Sequence, residues 1–172
     1  MNQYVFNYLT PNATEGLTEG LKRVYNSPYP VVVCVGSDLS IGDSLGPLVG
    51  TELSLKLNGK AYVYGTLESP ITALEINVVL KSINKLHPKS KILVVDAAVG
   101  NLDDIGLIKL SDVGIKPGLG VNKDFNVLGD ASIIAIVAEK NEKEKGLLLG
   151  TRLSFIKKLS SVISHGIINY FK

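Results

Sequence analysis

Five apolar residues in a row, Val31 to Val35 (VVVCV), constrain this chain more than any other stretch. A continuous β-branched run of that length reads as a strand buried on both faces, which a parallel sheet between helices supplies. Gly36 ends the run, and a short polar loop leads to Gly42-Asp43-Ser44-Leu45-Gly46-Pro47 and then to a helical pattern. Pro47 suits a first helical turn, where its missing N–H is not needed. An acid held between a buried strand and a helix start lies at the carboxyl edge of such a sheet, where open α/β folds bind and react. Asp43 is therefore the first candidate for chemistry.

The rest of the chain repeats this grammar. Leu45 to Asn58 reads as a helix closed by Asn58-Gly59 in a left-handed cap. Ala61 to Thr66 reads as a strand. A helix is expected from Ser69-Pro70, with Ile71, Leu74, Val78, Ile83 and Leu86 on its apolar stripe and His87-Pro88 at its end. Ile92 to Val95 is a second doubly buried run and delivers Asp96 at its carboxyl end. Gly106 to Leu110 and Ser132 to Glu139 read as further strands, and a long helix packed on the sheet is expected from Glu144 to Phe171. Residues 1–30 read as an N-terminal extension, with alternating Tyr4, Phe6 and Tyr8 as an edge strand or packed arm, and a helix over Thr14 to Tyr25. The pattern predicts one α/β domain over residues 1–172, with a largely parallel sheet of about five strands and helices on both faces.

Composition narrows the function. With 172 residues, 45 % apolar and 20 % charged, the chain can bury a core without staples. A net charge of +2, with Lys and Arg scattered among Asp and Glu, argues against a nucleic-acid surface. Lys157, Lys158 and Lys172 read as a solvated helix face. The one cysteine, Cys34, permits no intramolecular disulfide or cysteine cluster and reads as a core residue. The first residues lack the pattern of a signal peptide, and no apolar run is long enough for a membrane span, so a cytoplasmic location is expected.

Asp43 and Asp96 both stand at the carboxyl ends of buried strands. If those strands are neighbours, the carboxylates share one crevice, and one holds a proton while the other acts as base. Such a pair can activate water against an amide. The plainer alternative makes Asp43 a helix-start residue and Asp96 a turn residue. Glu68 is a third carboxylate that would complete a site for a hard metal, although the expectation is a site with neither metal nor cofactor. The loop from Ser111 to Asp130 is long for a compact domain. Its Gly118, Gly120, Lys123 and Asp130 are, with Glu68, the candidates for substrate contact. Gly36, Gly42 and Gly46 are too widely spaced for GxGxxG, and there is neither a P-loop nor a Gly-x-Ser-x-Gly elbow, so Ser44 reads as structural.

Four segments in order, CVGSDLSIGDSLGPLVG, GTLESPITALEIN, VVDAAVG and PGLGVNKDFNVLGDASI, resemble the YyaC-type sporulation proteins of spore-forming bacteria. That family is related to the germination protease that degrades small acid-soluble spore proteins, and more widely to the hydrogenase maturation endopeptidases. The resemblance implies a three-layer α/β/α sandwich around a mixed, mostly parallel sheet. It also implies a cytoplasmic role in the sporulating cell and a protein or peptide substrate. The proposed acid pair of the germination protease matches Asp43-Ser44-Leu45-Gly46-Pro47 and Asp96-Ala97. Two departures matter. The chain is much shorter than the germination protease, so its propeptide and insertions are not expected in full, and no histidine stands where a nickel ligand would be. Two readings follow: an aspartate-dependent peptidase acting on a small spore protein, or a catalytically silent relative that binds a spore protein or partner. Self-association as a homo-oligomer is left open.

Overall fold

The computed structural model describes residues 2–115, 127–140 and 150–172. The elements run β1 (Gln3–Asn7), α1 (Ala13–Val24), β2 (Val31–Cys34), α2 (Leu45–Lys56), β3 (Tyr62–Tyr64), α3 (Ile76–Leu86), β4 (Ile92–Gly100), β5 (Leu107–Ser111), β6 (Ala131–Glu139) and α4 (Leu153–Tyr170). They form a six-stranded sheet in the order β1-β5-β6-β4-β2-β3. The four strands β6, β4, β2 and β3 are parallel; β5 and β1 join antiparallel. The fold is the mixed α/β class expected from the alternation of strand and helix patterns. The sheet has six strands rather than about five, because β1 completes the far edge.

Apolar side chains divide the molecule into two layers of core. On one face, α1, α2 and α4 pack Leu17, Leu21, Leu45, Val49, Leu53, Ile156 and Ile163 against Val32, Cys34, Leu93 and Val95. On the other, α3 packs Ile76, Leu80 and Ile83 against Val31, Val33, Ile92 and Val94. Each fully buried side chain of this size contributes roughly 1.5–3 kcal/mol. Successive β2 residues feed opposite layers, so the whole run had to be apolar. Cys34 lies fully buried there, and burial pushes its thiol up, away from thiolate chemistry.

The edge strand and the helix expected in residues 1–30 both form: β1 pairs with β5 along its length, and α1 buries Leu17 and Leu21 fully in the larger core. Two local expectations change. The helix expected at Ser69-Pro70 starts later, at Ile76. Ile71 instead continues the sheet beside Val35, and its carbonyl accepts the Gly36 N–H at 2.9 Å. A turn over Thr72–Glu75 then leads into α3, with the Glu75 carboxylate accepting the Thr72 N–H and hydroxyl at 3.2 and 3.0 Å. That shift leaves Leu74 and Val78 exposed instead of buried. Second, β4 does not stop at Val95 but runs to Gly100, so Asp96 lies within a strand. No helix among the described residues is long and apolar enough to cross a membrane.

Candidate active site

The site is built where β2 stops and β4 continues. Cys34 pairs with Val95, and the Val35 N–H donates to the Val95 carbonyl at 2.8 Å, which sets Asp96 beside Val35. Side chains alternate along a strand. Val94 belongs to the α3-side core and Val95 to the opposite one, so Asp96 projects on the α3 side.

Asp43 reaches the same place through a turn that only glycine permits. Gly36 has φ +144°, and a β-carbon there would stand 2.0 Å from the Asp43 carbonyl oxygen. The Ser37 N–H donates to that carbonyl at 3.1 Å. A short 3-10 turn, Gly42–Ser44, carries Asp43 and packs on β4. Ser44 secures the turn from inside, its hydroxyl donating to the Ile41 carbonyl at 2.6 Å. Ser44 thus has the structural role expected of it.

The electrostatics follow from this crowding. Asp96 is half-buried. Its carboxyl is raised to about 7, chiefly by burial, with its Oδ1 contact to the Ala97 N–H at 2.8 Å opposing and the charge of Asp43 adding to the rise. Burial also raises Asp43, with the Ser37 N–H opposing. Each acid feels a low-dielectric surround, and Asp96 feels its neighbour's charge, so near neutral pH the pair retains a proton that isolated carboxylates would have lost.

Among the described residues, the other sequence candidates form no metal group with the pair. Glu68 is exposed in the loop after β3, and among the described residues no three His, Cys, Asp or Glu side chains form a group able to hold a metal. Asp130 needs correction. It precedes β6 at the opposite, amino edge of the sheet, where its Oδ2 accepts the Ile92 N–H at 2.8 Å. Its role is to close the start of β4, because parallel pairing of β4 with β6 puts both strand starts at that edge. Gly118, Gly120 and Lys123 lie outside the described residues. Neither histidine approaches the pair: His87 Nε2 meets the Tyr64 hydroxyl at 2.7 Å, and His165 Nε2 faces Glu52 at 3.5 Å.

Sequence reasoning missed four contributors. Ile71 flanks Val35 on the side away from Asp96. Ser40, in the loop before Asp43, has a buried hydroxyl oxygen without a hydrogen-bond partner among the described residues. Gly50 and Gly65 allow backbone approach between α2, the β3 end and β2: a β-carbon at Gly50 would stand 1.9 Å from the Gly65 carbonyl oxygen, and one at Gly65 1.9 Å from that of Cys34. The spacing of Gly46 and Gly50, one helical turn apart, was the available signal for a close-packed helix face.

Among solved structures, the chain is similar to a [NiFe] hydrogenase maturation protease, HycI, from Thermococcus kodakarensis KOD1. That match has 15 % identity, a TM-score of 0.48, and covers 88 % of this chain and 97 % of the other. In sequence it is 37 % identical over 151 residues to the uncharacterized protein YyaC of Bacillus subtilis (strain 168), covering 88 % of this chain and 73 % of that one. The model of the family described as a protein of unknown function, DUF1256, matches residues 5–166. With most of the sheet, α1 to α3 and most of α4 inside that match, the chain belongs to the DUF1256 family.

Proposed function

We propose that the chain is a peptidase of sporulating cells that hydrolyses a peptide bond in a small spore protein, with Asp43 and Asp96 as its acid pair. The observation that carries the reading is the electrostatics of Asp96: its buried carboxyl is raised to about 7 and feels the charge of Asp43. Asp43, the more open of the two, is the base. Its carboxylate takes a proton from water as the water oxygen bonds to the scissile carbonyl carbon. Protonated Asp96 gives its proton to the departing amide nitrogen as the C–N bond breaks, and the proton on Asp43 restores the pair. General acid–base assistance of this kind contributes on the order of 10²–10⁴ in rate. The resemblance of GDSLGP and VVDA to the germination protease supports the same two residues.

The test is cleavage of small acid-soluble spore proteins by the purified chain beside Asp43→Asn and Asp96→Asn. The expected result is cleavage by wild type and loss by about two orders of magnitude or more in each folded variant. Absence of cleavage by folded wild type, with association of the same protein retained, would replace this reading with a silent binding role.

A further inference from the structure

The mouth over the acid pair is formed by three adjacent loops that leave the carboxyl ends of β2, β3 and β4: 36–44, 65–75 and 101–106. Two features set these loops apart. They hold large apolar side chains out in solvent: Leu39 is 91 % exposed, Leu74 90 % and Leu102 64 %, with Ile41 also exposed. Leu74 also walls a groove of about 550 Å³ with Ile71 and Val78, on the sheet face to which Asp96 points. Exposed apolar side chains gathered around a site mark a surface that binds another molecule.

The same loops are acidic. Besides the pair they carry Asp38, Glu68, Glu75, Asp103 and Asp104, and they contain no lysine, arginine or histidine. Asp104 is held by Lys109 at 3.3 Å, whereas Asp38, Glu68 and Asp103 are exposed. Lys140 stands beside the start of the 101–106 loop, its backbone N–H donating to the Gly100 carbonyl at 2.8 Å, across β4 from Asp38 and Glu68. The lysines of the α3 region, Lys81, Lys85, Lys89 and Lys91, stand in the second half of that helix and in the loop that leads to the start of β4. Negative charge is thus concentrated at the mouth, where it draws cations and repels anions over about a Debye length, roughly 8 Å at physiological salt.

We infer that the mouth binds a cationic, apolar polypeptide segment: lysine- or arginine-bearing chain whose large aliphatic side chains meet Leu39, Leu74 and Leu102. The inference rests on the proposed function for the fate of that segment, since the mouth delivers it to the acid pair. An apolar surface alone would accept any sticky chain. The carboxylates select against acidic ones, and that repulsive element makes the surface specific. Because the charges sit at the rim and in solvent, they act chiefly on association rate and salt dependence, and the leucines on residence time.

The experiment measures binding apart from cleavage, on the full chain, by fluorescence anisotropy with three labelled peptides of equal length built from Lys and Leu, Glu and Leu, or Lys and Ser. The Lys/Leu peptide is expected to bind at least about tenfold tighter than either other peptide and to weaken as salt rises. Leu39→Ser with Leu74→Ser, and separately Asp38→Asn with Asp103→Asn, change exposed side chains and leave the thermal midpoint in place. The first pair is expected to weaken binding about tenfold at all salts, and the second to weaken it at low salt and flatten the salt dependence. Equal binding of the Glu/Leu peptide, or insensitivity to both double variants, overturns the inference. So does a concentration-dependent dimer in sedimentation that the leucine variants abolish, which would give the rim to a second copy of this chain. The two readings fail separately. Lys/Leu binding without cleavage of any spore protein keeps the mouth and removes the peptidase; cleavage indifferent to both double variants keeps the peptidase and removes the mouth.

Discussion

Gly46 lies against the backbone of Val35: a β-carbon built on it would stand 2.0 Å from the Val35 carbonyl oxygen. Through this contact the first turn of α2 seats on β2, and the turn bearing Asp43 is carried to the level of Asp96. Real β-carbons do not approach backbone oxygen so closely, so a side chain here forces α2 outward.

Gly46→Ala is therefore expected to destabilise the fold by roughly 3 kcal/mol, the upper range for an overpacked core. Gly150→Ala, where an added β-carbon meets nothing within 4 Å, is the control and is expected to stay within about 0.5 kcal/mol of wild type. Urea unfolding of both variants checks this; equal stabilities would mean that α2 is not held by the Gly46–Val35 approach.

The raised carboxyl of Asp96 makes stability depend on pH in a definite direction. Unfolded, the group releases its proton near the ordinary value of about 3.9; folded, it holds the proton up to about 7. Between those values the folded state binds more protons, so stability falls as pH rises through the window and levels off above it. Asp43, also raised, adds a slope of the same sign. Asp96→Asn is expected to remove most of the fall and to exceed wild type at pH 8 by on the order of 2–3 kcal/mol. Denaturant midpoints measured across this range decide it, and a wild-type stability that rises from pH 4 to 7 would contradict the assignment.

Activity should follow the same groups. With Asp96 as acid, kcat/KM for peptide hydrolysis is expected to fall above about pH 7 as its proton is lost. On the acid side it falls as Asp43 takes up a proton, at a pH above that of an ordinary carboxylate. A pH profile of the cleavage rate under subsaturating substrate tests both limbs. A rate that keeps rising through pH 8 would remove Asp96 from the acid role.

Tyr25 offers a variant whose effect is on stability alone. Its buried hydroxyl donates to the Lys91 carbonyl at 2.8 Å and accepts the Val31 N–H at 3.2 Å, tying together the starts of β2 and β4 far from the acid pair. Tyr25→Phe removes both contacts, but the Val31 N–H still donates to the Lys91 carbonyl at 3.2 Å, so the variant is expected to cost about 1 kcal/mol with kcat/KM unchanged. Thermal unfolding beside a cleavage assay separates the two effects.

Much of this molecule was legible as a string. Val31 to Val35 and Ile92 to Val95 announce strands buried on both faces, because only a sheet covered on each side hides every residue of such a run. Asn58-Gly59 marks the end of α2 through its left-handed backbone, with φ +48° and +80°. Asp43 and Asp96 were legible as candidates because strand ends in open sheets are where acids gather for chemistry.

Other features depend on contacts between distant segments. Ile71 reads as the start of a helix in sequence but becomes a neighbour of Val35, since the sheet edge offers its carbonyl the Gly36 N–H. Asp130 reads as part of a functional loop but closes the start of β4, because strand pairing puts it beside Ile92. Local pattern determined the strands, most of the helices and the two acids of the candidate site, since those depend on periodicity and on the chemistry of single side chains. Tertiary structure alone decided the strand order, the sheet face to which Asp96 points and the acidity of its carboxyl, because each is set by atoms dozens of residues away in the chain.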